Sequence, residues 1–319
     1  MATGEQLKLL VKSHYDNEDR FKTIVLQIAA YEANKGHTTL ARDLKKIIDK
    51  SKKEKRVISN ENNNKPFSEL ISCNLSEQRL NELIVSDKTK EIIDRIIKEY
   101  RQRDKLKKFG LTNRRKFLIA GPPGTGKTMT AAVLAKELNL PLCTILMDKM
   151  VTKYMGETSV KLRQIFDNIS ECRGVYLFDE FDAIGAKRNS ENDIGEMRRV
   201  LNSFLQLIEQ DKSESLIIAA TNNPNMLDSA LFRRFDDVIN YTLPTESEIK
   251  RIILNRLGEY KSPNLKLDLI LNEAINLSHA EITRICNDCI KDIILNDEDY
   301  VTEELLLKTI NERICSYKY

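Results

Sequence analysis

One octapeptide constrains the fold of this 319-residue chain more than any other segment. Residues 121–128 read Gly-Pro-Pro-Gly-Thr-Gly-Lys-Thr, and they directly follow the apolar run Phe-Leu-Ile-Ala at 117–120. A helix-forming segment begins at Met129. An apolar strand, a glycine-rich loop and a helix in this order predict a phosphate-binding loop. A glycine-rich turn without a ligand is the simpler interpretation, but it does not account for the lysine, the hydroxyl and the helix together.

The residue types of this loop suit a nucleoside triphosphate. Its glycines permit backbone conformations that let N–H groups converge on phosphate oxygens. Lys127 supplies a positive charge for the β- and γ-phosphates, and the hydroxyl of Thr128 can bind Mg²⁺. The helix from Met129 directs its positive end at the same anion. The predicted phosphate-binding residues are Gly121, Pro122, Pro123, Gly124, Thr125, Gly126, Lys127, Thr128 and Met129.

A pair of carboxylates ends a second apolar run. Residues 175–180 read Val-Tyr-Leu-Phe-Asp-Glu. We expect Asp179 to hold Mg²⁺ through water and Glu180 to polarise the attacking water, as in the acidic pairs at strand ends of nucleotide hydrolases. An acidic turn that caps a helix is the alternative, but the apolar strand in front and the upstream loop favour catalysis.

The spacing of apolar runs predicts an α/β fold with a five-stranded parallel sheet. Short unalternated apolar runs that are separated by helices are typical of parallel strands covered on both faces. The predicted strands are Phe117–Ala120, Cys143–Leu146, Val175–Phe178, Leu216–Ala220 and Val238–Tyr241. Beyond Pro244 the pattern predicts helices alone, at 246–257, 269–276, 279–295 and 302–315.

We predict four consecutive regions. Residues 1–50 form a small helical segment for a partner or for assembly, and residues 51–65 form a polar linker. Residues 66–243 form the large α/β nucleotide-binding domain, and residues 244–319 form a small helical lid domain.

Composition limits the location and the partners of the protein. No apolar stretch is long enough for a membrane span, and the polar N-terminus is not a signal peptide. The six cysteines are scattered, so we expect no disulfide framework and a cytoplasmic location. Cys286 and Cys289 lie in an amphipathic helical run without a second ligand pair, which favours packing over zinc binding.

Several motifs together resemble the AAA+ ATPases, in the branch that includes katanin, spastin, the membrane-fusion ATPases and the protease-linked remodellers. The resemblance covers roughly residues 66–319 and implies ATP as the nucleotide. Residues 216–222, Leu-Ile-Ile-Ala-Ala-Thr-Asn, resemble the strand that ends in the sensor-1 asparagine, here Asn222. Residues 227–236 resemble the segment with paired arginine fingers, which implies that Arg233 and Arg234 reach the ATP of a neighbouring subunit.

Arginines that act on a neighbour's nucleotide require an oligomer, and head-to-tail contacts close into a ring where the rotation permits. A homohexamer is what the resemblance implies. Residues 153–156, Lys153, Tyr154, Met155 and Gly156, resemble the first pore loop of members that thread polypeptides. A packing role for Tyr154 is the alternative. Residues 185–196 would then form a second pore-facing loop, although a solvated loop would have the same composition.

The lid departs from the AAA+ pattern at one place. Many members carry an arginine at the start of the third lid helix, whereas residues 278–282 here read Ser-His-Ala-Glu-Ile. We place His279 and Ala280 among the nucleotide-binding residues, with helix capping as the other interpretation of His279. Arg284, one turn later, is a candidate substitute for the missing arginine.

Two functions from different classes fit these motifs. The first is an ATP-driven remodeller that threads or unfolds a protein substrate. The second is an ATP-gated scaffold that switches a partner enzyme. The chain also resembles bacterial single-module AAA ATPases encoded beside subtilisin-like serine proteases, which implies such a protease as a partner. A nucleic-acid motor would need a basic, stacking-capable pore, and acidic residues outnumber basic ones beyond residue 60.

Overall fold

The fold is known from a computed structural model, which describes residues 69–150, 155–185, 191–227 and 229–316. The chain divides into two units, 1–63 and 64–319. In the first unit the structure describes Val25 and Ala29, which are helical and buried, and Arg42, which is helical and exposed. The rest of the predicted helical segment at 1–50, and the predicted linker at 51–65, lie outside the described residues. Among the described helices, none has the length and apolar character that a membrane span requires.

The second unit contains a six-stranded sheet in the order β1-β3-β4-β5-β2-β6. Its strands are β1 (Ile71–Asn74), β2 (Lys116–Ala120), β3 (Leu142–Ile145), β4 (Val175–Phe178), β5 (Leu216–Thr221) and β6 (Asp237–Asn240). The strands from β2 to β6 pair in parallel, which confirms the five predicted strands to within a residue or two at each end. All residues of β4 and β5 are buried, because helices cover both faces of the sheet.

The sixth strand, β1, corrects the prediction of five strands. It pairs antiparallel with β3 at the edge of the sheet, and Ile71 is its only buried residue. A strand of four residues with a single core position carries no periodic apolar signal. Its existence depends on a neighbour that is about seventy residues away in the sequence.

The same strand carries one disulfide, although the scattered cysteines predict no disulfide framework. Cys73 in β1 lies directly opposite Cys143 in β3, and their sulfur atoms form a disulfide. The remaining cysteines are free. The scattered spacing of the cysteines could not reveal this pair, because the strand register sets it.

The helices flank the sheet and form the C-terminal part of the unit. They are α1 (Asp87–Arg101), α2 (Arg103–Lys108), α3 (Lys127–Glu137), α4 (Met147–Met150), α5 (Met155–Glu171), α6 (Asp182–Gly185), α7 (Glu191–Gln210), α8 (Ser229–Phe232), α9 (Glu246–Leu257), α10 (Asp268–Ala274), α11 (His279–Leu295) and α12 (Glu303–Ser316). The predicted pore-facing loop at 185–196 is therefore partly wrong, since residues 191–196 form the first turns of α7. Residues 186–190 lie outside the described part of the chain.

Three apolar clusters stabilise this unit. Two lie on opposite faces of the sheet, and the third is the core of helices α9–α12. Leu83 belongs to one sheet cluster, whereas the adjacent Ile84 packs against the third cluster. Cys286 and Cys289 are fully buried in that third cluster, in the packing role that their helical spacing favours. The segment before α1 thus joins the sheet to the C-terminal helices.

We expect four reactive thiols from the denatured, air-oxidised protein and six after reduction, because the Cys73–Cys143 bridge withholds two. Titration with a thiol reagent in denaturant measures this. The Cys73→Ser variant should give five thiols without reductant, since it frees Cys143. Six thiols in the unreduced wild type would contradict the bridge.

Candidate active site

A cleft of about 730 Å³ opens at the carboxyl edge of the parallel strands, between the sheet and α11. It gathers residues from the loop after β2, the ends of β4 and β5, and the start of α11. The sequence-predicted residues that line it are Pro123, Gly124, Thr125, Gly126, Lys127, Thr128, Met129, Asp179, Glu180, Asn222, His279 and Ala280. Parallel pairing explains this, since it brings the carboxyl ends of all these strands to one edge.

Lys127 occupies the base of the phosphate-binding loop. It is 6% exposed, and its ammonium donates hydrogen bonds to the carbonyl oxygens of Gly121 at 2.8 Å and Pro122 at 2.7 Å. Burial lowers the pKa of Lys127 below its ordinary value, and the carboxylates of Asp179 and Asp182 oppose that shift. A phosphate would offer this buried charge a charge-assisted partner, which is stronger than a neutral carbonyl.

Thr128 and Asp179 supply oxygens at a single point of the cleft. The hydroxyl of Thr128 donates to Oδ2 of Asp179 at 2.7 Å. Hydroxyl and carboxylate oxygens are hard ligands of the kind that Mg²⁺ prefers. The two side chains come from the start of α3 and the end of β4, and they are close enough to bind one ion together. The donor set therefore fits Mg²⁺.

Glu180 has an unusual backbone conformation. Its φ of 50° lies in the left-handed region, which residues other than glycine seldom adopt. Its amide donates to Oδ1 of Asp179 at 2.9 Å, which helps to hold the turn. Such a conformation persists only where the surrounding structure stabilises it, and residues of this kind cluster at functional sites. The turn after β4 places Glu180 at the wall of the cleft.

Asp182 is a site residue that sequence reasoning missed. Its Oδ1 accepts hydrogen bonds from the hydroxyl of Thr221 at 3.2 Å and from the amide of Asn222 at 3.4 Å. The amide of Phe181 also donates to the carbonyl of Ala220 at 2.8 Å. Asp182 thereby links the acidic turn to the end of β5 and positions Asn222. The third acid in the run 179–182 was the available signal, but its partners depend on strand order.

The start of α11 contacts the phosphate-binding loop directly. The amide of Ala280 donates to the carbonyl of Gly124 at 2.9 Å. Gly124 has a φ of +73°, and a Cβ at that position would lie 2.6 Å from Oγ of Ser278. Ser278 caps α11 through a reciprocal pair of hydrogen bonds with Glu281. The close approach therefore requires glycine at 124.

His279 is half-buried in the same cleft. Both of its ring nitrogens are buried without a hydrogen-bond partner among the described residues. Burial lowers the pKa of His279 below its usual value, against the opposing charge of Glu248, which favours the neutral form of the ring. Arg284, the candidate substitute for the missing arginine, also lines the cleft.

An apolar wall of the cleft was also missed from the sequence. Leu83 and Ile84 come from the segment before α1, and Ile252 comes from α9. Apolar surfaces beside a few polar groups suit a heteroaromatic base. These residues lie in ordinary apolar segments, so nothing in the sequence marks them as site residues.

Arg233 and Arg234 lie away from the cleft of their own chain. Both are exposed in the turn before β6, and Arg234 forms an ion pair with Glu209 at 2.5 Å. The amide of Asp236 donates to the carbonyl of Lys116 at 2.8 Å, which places this turn beside the first residue of β2. The phosphate-binding loop leaves the other end of β2. At about 3.3 Å per residue, the five residues of β2 separate the arginine turn from the phosphate-binding loop by roughly 16 Å.

The predicted pore loop is only partly described. Lys153 and Tyr154 lie outside the described residues. Met155 and Gly156 are the first two residues of α5.

Comparison with known proteins shows the family of this chain. The family profile "ATPase family associated with various cellular activities (AAA)" matches residues 117–243. The "Uncharacterized AAA family ATPase y4kL" of Sinorhizobium fredii is 33% identical over 313 residues, which cover 95% of this chain and 93% of that protein. The chain therefore belongs to the AAA family of ATPases, and it is an enzyme that hydrolyses ATP.

Other relatives are proteasome-activating nucleotidases. The one from Pyrococcus abyssi is 35% identical over 203 residues, or 61% of this chain and 51% of that protein. The one from Methanothermobacter thermautotrophicus is 31% identical over 227 residues, or 68% of this chain and 55% of that protein. The chain thus spans about half the length of these nucleotidases.

We expect Gly124→Ala to weaken ATP binding at least about tenfold, since the new methyl group would displace Ser278 and the start of α11. Binding of a fluorescent ATP analogue measures this. Gly110→Ala is the matched control, because Gly110 also has a φ of +73° but has nothing within 4 Å of the added Cβ. Both variants should lose about 1–2 kcal/mol of stability to backbone strain. Equal ATP affinity in both variants would contradict the role of the contact.

Proposed function

We propose that this protein is a ring-forming, Mg²⁺-dependent ATPase that threads, unfolds or otherwise remodels protein substrates. The observation that carries the proposal is the separation of Arg233 and Arg234 from the phosphate-binding loop by the length of β2. The proposed catalytic groups of one chain are therefore divided between the amino end and the carboxyl end of the parallel strands.

Within one subunit, the cleft residues divide the chemistry of hydrolysis. The loop amides and Lys127 bind the phosphates, and Thr128 and Asp179 hold Mg²⁺. When bound, Mg²⁺ would neutralise part of the negative charge on the phosphates. Glu180 takes a proton from the water that attacks the γ-phosphorus, while Asn222 orients that water. The bond to the bridging oxygen breaks, and ADP and phosphate are the products.

The start of α11 and the apolar wall hold the rest of the nucleotide. Ala280 is bonded to the loop at Gly124, so the lid helix lies beside the phosphates. The ring nitrogens of His279, which have no hydrogen-bond partner among the described residues, can bind the ribose or the base. Leu83 and Ile252 provide apolar surface for the base.

The arginine pair acts on the ATP of a neighbouring subunit. An arginine side chain cannot span roughly 16 Å to the loop of its own chain. Since both arginines are exposed, a head-to-tail contact can bring them to the next cleft, where they neutralise charge in the transition state. Repetition of a head-to-tail contact closes a ring, for which we propose six subunits.

A protein substrate is supported by the relatives and by the pore-loop resemblance. Several relatives are named for activating proteasomes, which act on proteins. In the central pore, the aromatic ring of Tyr154 and the side chain of Met155 would grip an extended polypeptide with little sequence preference. We propose a subtilisin-like serine protease as a partner on the resemblance alone, and a cytoplasmic location.

Complementation tests the shared site. We expect the Arg233→Ala, Arg234→Ala double variant to lose about 10³-fold or more of its ATPase activity. The Lys127→Ala variant should also be inactive, because it does not bind the phosphates. A mixture of the two variants should regain activity. The double arginine variant keeps Lys127 and can bind ATP, and a neighbouring Lys127→Ala subunit can supply the intact arginines. Steady-state phosphate release measures all three samples.

The exposed Arg251 in α9 provides the control for this experiment. Arg251→Ala should retain activity alone and should add nothing to the mixture beyond its own rate. A double arginine variant that hydrolyses ATP normally, or a mixture without recovery, would argue against arginines supplied by a neighbour.

Substitution of Tyr154 separates a remodeller from a scaffold. We expect Tyr154→Ala to keep basal ATP hydrolysis but to lose stimulation by an unfolded protein such as alkylated casein. Tyr154→Phe should retain stimulation because it keeps the aromatic ring. If Tyr154→Ala leaves every ATP-dependent output unchanged, the ATP-gated scaffold becomes the better description.

A further inference from the structure

Tyr241 lies buried beneath the phosphate-binding loop. It directly follows β6 and is 6% exposed. Its amide donates to the carbonyl of Ala120 at 2.7 Å, at the residue where β2 passes into the loop. Its ring lies 3.9 Å from the position that a Cβ on Gly126 would occupy. The backbone of Tyr241 therefore contacts the start of the loop, and its ring lies beside the end of the loop.

The hydroxyl of Tyr241 meets the hydroxyl of Thr130, which is fully buried in the first turn of α3. Thr130 also donates from its hydroxyl to the carbonyl of Gly126 at 3.0 Å. A threonine hydroxyl has one proton, so Tyr241 must be the donor to Thr130. Burial raises the pKa of Tyr241 to about 12, which keeps its hydroxyl protonated at physiological pH. The three groups form a hydrogen-bond chain from the core to the loop.

The far end of this chain holds a peptide group of the phosphate-binding loop. In a trans peptide the C=O and the N–H point in opposite directions. A carbonyl of Gly126 that faces Thr130 therefore turns the amide of Lys127 toward the cleft. Gly126 has a φ of +101°, and glycine peptides reorient easily, so an additional restraint has a clear effect at this position.

We propose that Tyr241 is a positioning residue for ATP binding, because its hydrogen-bond chain through Thr130 holds the Gly126–Lys127 peptide with its N–H toward the phosphates. This inference rests on the proposal that residues 121–128 bind the phosphates of ATP. Tyr241 itself does not line the cleft. Helix geometry contributes to the same restraint, since the amide of Thr130 also donates to Gly126 at 2.9 Å.

The test compares ATP binding and ATP hydrolysis in the full-length protein. We expect Tyr241→Phe to raise KM for ATP, and the dissociation constant of a fluorescent ATP analogue, by about fivefold, the factor of one buried hydrogen bond. The value of kcat should change less than about twofold, because the restraint acts on binding. Thr130→Val should have the same effect, and Thr130→Ser should restore wild-type values.

A double variant examines whether the two hydroxyls act as one chain. The double variant Tyr241→Phe, Thr130→Val should raise KM and the dissociation constant no more than either substitution alone, because one substitution already interrupts the hydrogen-bond chain. Additive losses would show two independent contacts and would overturn the proposal. Thr130→Val also gives the answer if Tyr241→Phe does not fold.

Tyr100→Phe is the matched control for a simple packing role. Tyr100 is buried in the same apolar cluster, and its hydroxyl donates to the carbonyl of Glu214 at 3.1 Å, away from the cleft. Urea unfolding should show similar destabilisation for both tyrosine variants, with weaker ATP binding for Tyr241→Phe alone. If KM and the dissociation constant for ATP are equal in the two variants, Tyr241 has only a packing role. If Lys127→Ala also binds ATP normally, the phosphate-binding proposal itself fails.

Discussion

Parallel pairing of β2 with β5 on one side and β6 on the other is the constraint on which the rest of the structure depends. The carboxyl ends of parallel strands lie along one side of the sheet. The loop after β2, the acids after β4 and Asn222 after β5 therefore converge there, although they are far apart in the sequence. The same pairing separates Arg233 and Arg234 from that edge, because they precede β6. One arrangement of strands therefore produces the cleft and, under the proposed function, leaves the arginine pair to act on the cleft of a neighbour.

The C-terminal helices join this edge through few but specific contacts. Ala280 donates to Gly124, and the missing side chain of Gly124 makes room for Ser278. On the other side of the cleft, Leu83 and Ile84 pack into different cores although they are adjacent in sequence. The cleft thus lies between two separately packed cores. Under the proposed function, a nucleotide bound in the cleft would touch both cores and couple their positions.

The sequence predicts those features whose signal is local. The glycines, Lys127 and Thr128 follow one another in a single motif, and apolar runs mark the five parallel strands. It failed where a residue has meaning only through a distant partner. The edge strand β1 and its bridge from Cys73 to Cys143 depend on register with β3. Asp182 and Tyr241 depend on which strands are neighbours.

The sequence by itself determined that the chain is an α/β ATPase, because a phosphate-binding loop needs its glycines, lysine and hydroxyl in one short segment. It also marked Asp179 and Glu180 by the apolar strand before them. Only the tertiary structure decided the left-handed turn at Glu180, the contact of α11 with the loop and the hydrogen-bond chain under Gly126. The contact and the hydrogen-bond chain join residues that are distant in the sequence, and the turn at Glu180 leads directly into the bond from Phe181 to Ala220 of β5. Strand order and close packing, rather than local pattern, bring such residues together.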